Sequence, residues 1–295
     1  MTDDAYDVDA DDVDADQDVA EDEDDSAYSS VEGLDVELDG NVLRLTIDKP
    51  DKRNALDDTI VEGLMFAIDE AGRDEQVRCI VLTGAGDHFC GGFDIVARNA
   101  GAGAAPRPRV GSIQRRLPAQ SHGLIQLMLT VQVPIVVRVQ GWAVGIGFQL
   151  ALAADFTIAD LDAQFWEPFT ERGFTADSGA TWLLPRRVGP VRARSLLLLG
   201  RKLDGREAMA WGAIHAAVPK WELNQSVEDT VAVLATGPTV ALGLTKWLLH
   251  EGEARALDAQ MRDEAFAMEL SSRSEDFREG LQAFKDKRPP EFKGR

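Results

Sequence analysis

Val133 to Asp155 reads VPIVVRVQGWAVGIGFQLALAAD. Pro134 opens an apolar run, Ile135 to Val139, that is short and rich in β-branched residues, the composition of a strand buried on both faces. Gly141, Gly145 and Gly147 then let backbone approach a neighbour closely, and Phe148 to Ala154 continues as an apolar helix. A strand that passes through a glycine turn into a helix N-terminus aims main-chain N–H groups at one point, which suits an anion or an oxygen that becomes one. Alone, this pattern recurs throughout α/β proteins as plain structure. A second stretch adds weight to it: FCGGFDI, Phe89 to Ile95, follows another predicted buried strand, Cys79 to Thr83. Two such turns can each donate one N–H to the same oxygen.

Working outward, Leu34 to Leu38 and Val42 to Asp48 flank Asp39-Gly40 as a predicted hairpin. Asp51 to Leu56 (DKRNAL) reads as a loop, and Asp57 or Asp58 can cap a helix in which Ile60, Leu64, Ala67, Ile68 and Ala71 recur at helical spacing up to Gly72. Residues 97–111 are rich in Gly, Ala and Pro and read as a loop, and one helix is predicted from Ile113 to Thr130. Phe156 to Ala159 is another strand. Phe165 to Val188 resumes the character of a site, with Gly173 and Gly179 bracketing Asp177. Helices at Val191 to Leu199 and Asp204 to Trp211 and a short strand at Ile214 to Val218 lead into an almost wholly helical last quarter.

The chain has 295 residues, 44% of them hydrophobic, enough for one large core. Of its 51 acidic residues, 14 fall in residues 1–30, which hold no Lys or Arg, and the rest of the chain carries a net charge of −6. Residues 1–30 therefore read as a disordered acidic tail, residues 31–222 as the strand-bearing core and residues 223–295 as a helical region. The early acidity argues against a signal or transit peptide, and no apolar run reaches membrane-spanning length. A mildly acidic body disfavours nucleic acid as a partner. Two cysteines, Cys79 and Cys90, have no metal-binding spacing and suggest a reducing, cytoplasmic setting. Cys90 borders the first glycine turn, but a thiol mechanism wants a base, and the nearest histidine in sequence, His88, reads equally as a turn residue.

Five stretches in order resemble the crotonase, or enoyl-CoA hydratase/isomerase, superfamily: DKRNAL, TGAGDHFCGGFDI (Thr83 to Ile95), VQGWAVGIGFQLALAADFTIA (Val139 to Ala159), GFTADSGATWLLPRRVG (Gly173 to Gly189) and FKDKRPPEFKGR (Phe284 to Arg295). The resemblance implies an α/β spiral of ββα units with a helical C-terminal trimerisation region, a homotrimer or dimer of trimers, and an acyl-CoA thioester substrate, with coenzyme A part of the substrate and no separate cofactor or metal. It implies that the backbone N–H groups of Phe93 and Ile146 hold the thioester oxygen. The two glutamates typical of hydratases are replaced by Gln149 and Phe169; Gln can orient a water but cannot take its proton. Asp177 then remains as the acid/base of an isomerase, at a position where ring-opening epoxyphenylacetyl-CoA isomerases, dienoyl-CoA isomerases and chlorobenzoyl-CoA dehalogenases resemble this chain. It reads equally as the N-cap of a helix starting at Ser178. Glu167 and Glu171 flank Phe169 and could swing in as substitute carboxylates, a solvated loop charge being the favoured reading for each. Lys52, Arg53, Ala55, Gly91, Asp94, Lys285 and Lys287 are the implied coenzyme A contacts. Trp142, Trp166 and Phe169 are candidates for an acyl pocket, core or interface being the other reading for the tryptophans. The alternatives to an isomerase are a hydratase with atypical residues, a hydrolase or dehalogenase acting through Asp177, and an inactive CoA-binding homologue.

Overall fold

The computed structural model describes residues 28–95 and 111–295; residues 1–27 of the tail predicted over 1–30 and residues 97–110 of the loop predicted over 97–111 lie outside them. Tyr28, by contrast, is buried in the core with its hydroxyl donating to Asp74 at 3.0 Å and so is no part of a disordered tail. Strands β1 (Leu34–Asp39) and β2 (Val42–Ile47) form the expected hairpin. Its two turn residues are Gly40 and Asn41, one place later than Asp39-Gly40, because Gly40 at φ +62° makes the reversal. Helix α1 (Asp58–Ala71) follows, capped by the Asp57 side chain, which accepts the Ile60 N–H at 3.0 Å. It crosses over to β3 (Cys79–Gly84), which lies parallel to β2.

With β4 (Ile135–Val139), β6 (Phe156–Asp160) and β9 (Ala216–Val218), these strands make a sheet of order β1-β2-β3-β4-β6-β9, parallel from β2 onward. Alternate residues of β3 serve two cores. Ile80 and Leu82 pack with Ile60, Leu64 and Ile68 of α1, whereas Cys79 and Val81 pack with Leu223, Val227 and Val231 of α8 (Leu223–Thr236) on the opposite face. Burial on both faces is the reason Cys79–Leu82 of β3 and Ile135–Val137 of β4 read as apolar runs without alternation.

The single helix predicted from Ile113 to Thr130 is two, α2 (Ser112–Arg116) and α3 (Ser121–Thr130), joined by a 3₁₀ turn at Leu117–Ala119. Pro118 has no N–H to continue the ladder, and Gln120 leaves helical geometry at φ −124° and ψ −116°. A second, three-stranded sheet is built from β5 (Trp142–Val144), β7 (Gln164–Trp166) and β8 (Leu203–Asp204). Between β5 and β6 runs α4 (Ile146–Ala153), and α5 (Ala180–Val188), α6 (Pro190–Leu199) and α7 (Gly205–Ala210) follow in the second half.

The chain ends in α9 (Thr239–Gly252), α10 (Leu257–Ser271) and α11 (Glu275–Asp286). These carry exposed Leu257, Met261, Phe266, Met268 and Phe284. Among the described residues no single helix is long and apolar enough to cross a membrane.

Candidate active site

Two glycine turns meet at the C-terminal ends of β3 and β4. Helix α4 starts at Ile146, two residues earlier than its apolar run suggests, because Gly145 takes φ +52° and ψ −122°, a backbone state open to glycine alone. Cys90 of the first turn donates its N–H to the Trp142 carbonyl and accepts from the Val144 N–H, each at 2.9 Å. A Cβ on Gly147 would stand 2.7 Å from the Cys90 carbonyl oxygen, and one on Gly92 would stand 3.1 Å from that of Val144. The turns are thus in backbone contact, and only glycine at 147 permits it.

The other side of the first turn is held by DKRNAL. Leu56 N–H donates to the Gly92 carbonyl at 2.8 Å, Asp94 N–H to the Leu56 carbonyl at 2.9 Å, and Gly91 N–H to the Arg53 carbonyl at 2.7 Å. Arg53 and Asn54 both sit in the left-handed region at φ 56°. Asn54 is completely buried; its amide donates to the Ala85 and His88 carbonyls at 2.8 and 2.6 Å, and its carbonyl accepts the Lys49 N–H at 2.9 Å. Those three bonds explain an asparagine in this loop, since it tolerates the left-handed backbone and satisfies buried polar groups at once.

Two cavities, called outer and inner below, share no lining residue among the described residues, and of the two only the outer is lined by residues of a glycine turn. The outer, about 660 Å³, is lined by Lys52, Ala55, Gly91, Phe93, Asp94 and Arg172, among others, and so gathers four of the expected coenzyme A contacts with Phe93. Lys52 pairs with Asp94 at 2.9 Å. Arg53 lends its carbonyl to Gly91 and lies outside the lining; Lys285 and Lys287 are exposed at the end of α11 and line neither cavity.

The inner cavity, about 1040 Å³, has Asp177 on its wall, with His122, Gln126, Trp182 and His250. The capping alternative for Asp177 does not hold. Ser178 takes the left-handed backbone at φ +50°, which makes Gly179 the N-cap of α5, and no side chain caps that helix. The Asp177 carboxylate instead accepts the Ser178 hydroxyl at 3.0 Å.

Glu167 departs most from expectation. It is fully buried, not solvated, and the Gln149 amide donates to its Oε1. Ala163, Phe165 and Glu167 alternate inward along and just past β7, and that period of two was the available signal. Glu171 is exposed, as predicted. Burial, and after it the charge of Asp177, raises the Glu167 pKa well above the ordinary glutamate value against the opposing Gln149 bond.

Phe169 is buried edge-to-face on Phe174 at 5.9 Å. Trp142 and Trp166, 6.3 Å apart, lie beneath the Lys202 ammonium, 4.4 Å from the Trp166 ring, and line neither cavity; the indole on the inner wall is Trp182. Cys90 is fully buried, and burial pushes its thiol up to about 12, which removes it as a nucleophile at neutral pH. Sequence reasoning missed His122 and His250, which sit in no motif, and Arg172 on the outer wall.

Residues 37–295 match the family model described as enoyl-CoA hydratase/isomerase. The 1,2-epoxyphenylacetyl-CoA isomerase of Escherichia coli K12 is 36% identical over 258 residues, covering 88% of this chain and 97% of its own. The carnitinyl-CoA dehydratase of Proteus mirabilis is 32% identical over 266 residues, covering 87% of this chain and 96% of its own. The crystal structure of an enoyl-CoA hydratase from Bacillus anthracis superposes with a TM-score of 0.82 at 27% identity, over 89% of this chain and 100% of that one. Motif order, the pairing of the two glycine turns and these likenesses agree: the chain belongs to the enoyl-CoA hydratase/isomerase family and is an enzyme of the crotonase fold.

Proposed function

We propose that the protein is an acyl-CoA isomerase with a single catalytic base, Asp177. The observation that carries this reading is the placement of Asp177 on the inner cavity wall, while the two positions where hydratases of this family carry glutamates hold Gln149 and Phe169. The thioester carbonyl sits between the N–H groups of Phe93 and Ile146, and the coenzyme A portion follows the outer cavity past Lys52. Asp177 takes a proton from one acyl carbon, the electron pair moves through the conjugated system onto the thioester oxygen, and the enolate is stabilised by the two N–H donors. Asp177, whose acquired proton exchanges with solvent while the enolate persists, then protonates a different carbon, so the double bond moves and no water is consumed. Adding water would need a base for the water besides the acid for carbon, and Gln149 supplies no proton acceptor of that strength. A wall that mixes Trp182, Ile125 and Leu129 with His122 and Gln126 suits an unsaturated or aromatic acyl group bearing a polar atom.

The test is turnover of a 3-enoyl-CoA thioester in deuterium oxide, followed by mass spectrometry. The expected product is the conjugated 2-enoyl-CoA carrying deuterium. Accumulation of hydroxyacyl-CoA as the main product, from either double-bond isomer, defeats the isomerase reading.

The same reading includes assembly as a homotrimer or dimer of trimers. Eight large apolar side chains exposed on α10 and α11 support it, since a lone chain rarely leaves so many uncovered in one region. Sedimentation of the purified protein at micromolar concentration is expected to give three or six chains; a monomer refutes it.

A further inference from the structure

Glu167 has one hydrogen-bond partner among the described residues, the Gln149 amide, and that amide donates. Glu167 Oε2 and Gln149 Oε1 are both buried and unpartnered. A carboxylate only accepts, and a buried one demands several donors or a cation. None is supplied. Among the described residues, α4 brings the neutral Gln149, and the turn before α5 brings the anion Asp177, whose charge acts on Glu167. One proton on the carboxyl removes the buried charge and supplies a donor where two oxygens have none. Turning the amide over changes nothing, because the carboxyl must then donate to the amide oxygen directly.

We propose that Glu167 is a positioning residue that works as a neutral carboxylic acid, clamping the Gln149 amide and leaving Asp177 as the one anion among the described residues of the inner cavity wall. An ionised Glu167 would place a second negative charge beside an enolate that is itself gaining one, so the proton on Glu167 keeps enolate formation accessible. Burial and the Asp177 charge act in the same sense on this group. The inference rests on the isomerase reading only for its effect on turnover; the protonation state belongs to the free protein.

The experiment is infrared difference spectroscopy of the ligand-free chain, wild type against Glu167→Gln, titrated from pH 4 to pH 10. The expected result is a protonated carboxylic acid band at pH 7 that the variant lacks, disappearing on the alkaline side, with a midpoint that moves to lower pH in Asp177→Asn. A carboxylate at position 167 at pH 7, or a midpoint indifferent to Asp177→Asn, overturns the proposal. The kinetic arm follows kcat/KM against pH. Wild type is expected to fall about tenfold per pH unit beyond the Glu167 midpoint, and Glu167→Gln to lose that limb; a limb that persists unchanged overturns the role. The exchange Gln149→Glu with Glu167→Gln restores an acid–amide pair and is expected to restore the band, which keeps the test open if the single variant folds poorly.

Stability provides a further readout with a definite sign. A carboxyl whose pKa is raised in the fold contributes its full stability below the unfolded value, near 4.5, and loses it as pH rises toward the folded value. Thermal midpoints of wild type and Glu167→Gln should therefore coincide near pH 4 and separate by a few degrees toward pH 9, with the variant higher. Equal midpoints at pH 9 contradict a protonated Glu167.

Discussion

Asp177→Asn lowers kcat for double-bond isomerisation by about 10² to 10⁴ fold, with KM nearly unchanged. The substitution is close to isosteric, and the Asn carbonyl can still accept the Ser178 hydroxyl that holds Oδ1 at 3.0 Å. It removes no helix cap, because Gly179 occupies that place. What it removes is a group able to take a proton at neutral pH. The loss should therefore appear in the proton-transfer step alone, as abolished exchange of acyl-carbon hydrogen with solvent deuterium and a melting temperature close to that of the wild type. Activity retained within about tenfold in Asp177→Asn excludes Asp177 as the base. If the same assay fails in Glu167→Gln, the base lies at Glu167.

The strand-turn-helix at β4 and α4 was legible because its residues answer to local rules. Pro134 and Gly141 delimit the strand, Ile135 to Val139 are buried on both faces or nearly so, and glycines mark the place where two backbones touch. β5 was not legible. It is three residues between glycines, and it is a strand only because β7 arrives from 20 residues downstream to pair with it. The start of α4 was misplaced by two residues for a related reason: Ile146 and Gly147 are poor helix signals in isolation, and what fixes them as helix is the Gly145 backbone and the close approach of Cys90.

The site divides along the same line. DKRNAL and the two glycine turns announced themselves, and the structure brings them together through main-chain bonds that any sequence of this pattern would make. Asp177 stood open between helix cap and catalytic base, since both roles want an acid just ahead of a helix. A single left-handed residue, Ser178, removes the first by moving the cap to Gly179. Glu167 was misread because a charged residue beside Pro168 ordinarily marks a solvated loop. Its burial depends on Gln149, a residue 18 positions away, and no local rule contains that partner. Ionisable groups buried against long-range partners are the least readable parts of a sequence, and Glu167 is of that kind.

Ile146→Pro is the sharper test of the thioester's binding place, and we expect it to lower kcat by about 10² to 10³ fold. Ile146 is the first residue of α4, so its N–H has no carbonyl one turn earlier in the helix to donate to. Proline is well accepted at that position, where its fixed φ suits the helix and the missing N–H breaks no ladder. The preceding Gly145 has no Cβ to meet the ring. Proline thus deletes the proposed donor while leaving the helix in place. It also shortens a side chain that is 2% exposed, and Ile146→Val is the control for that loss: it keeps the N–H and should cost only about 0.5 to 1.5 kcal/mol of stability. If Ile146→Pro folds, binds a thioester and turns over within about threefold of Ile146→Val, the N–H at 146 does no catalytic work. The enolate must then be stabilised elsewhere, and the pairing of the two glycine turns is purely a matter of packing.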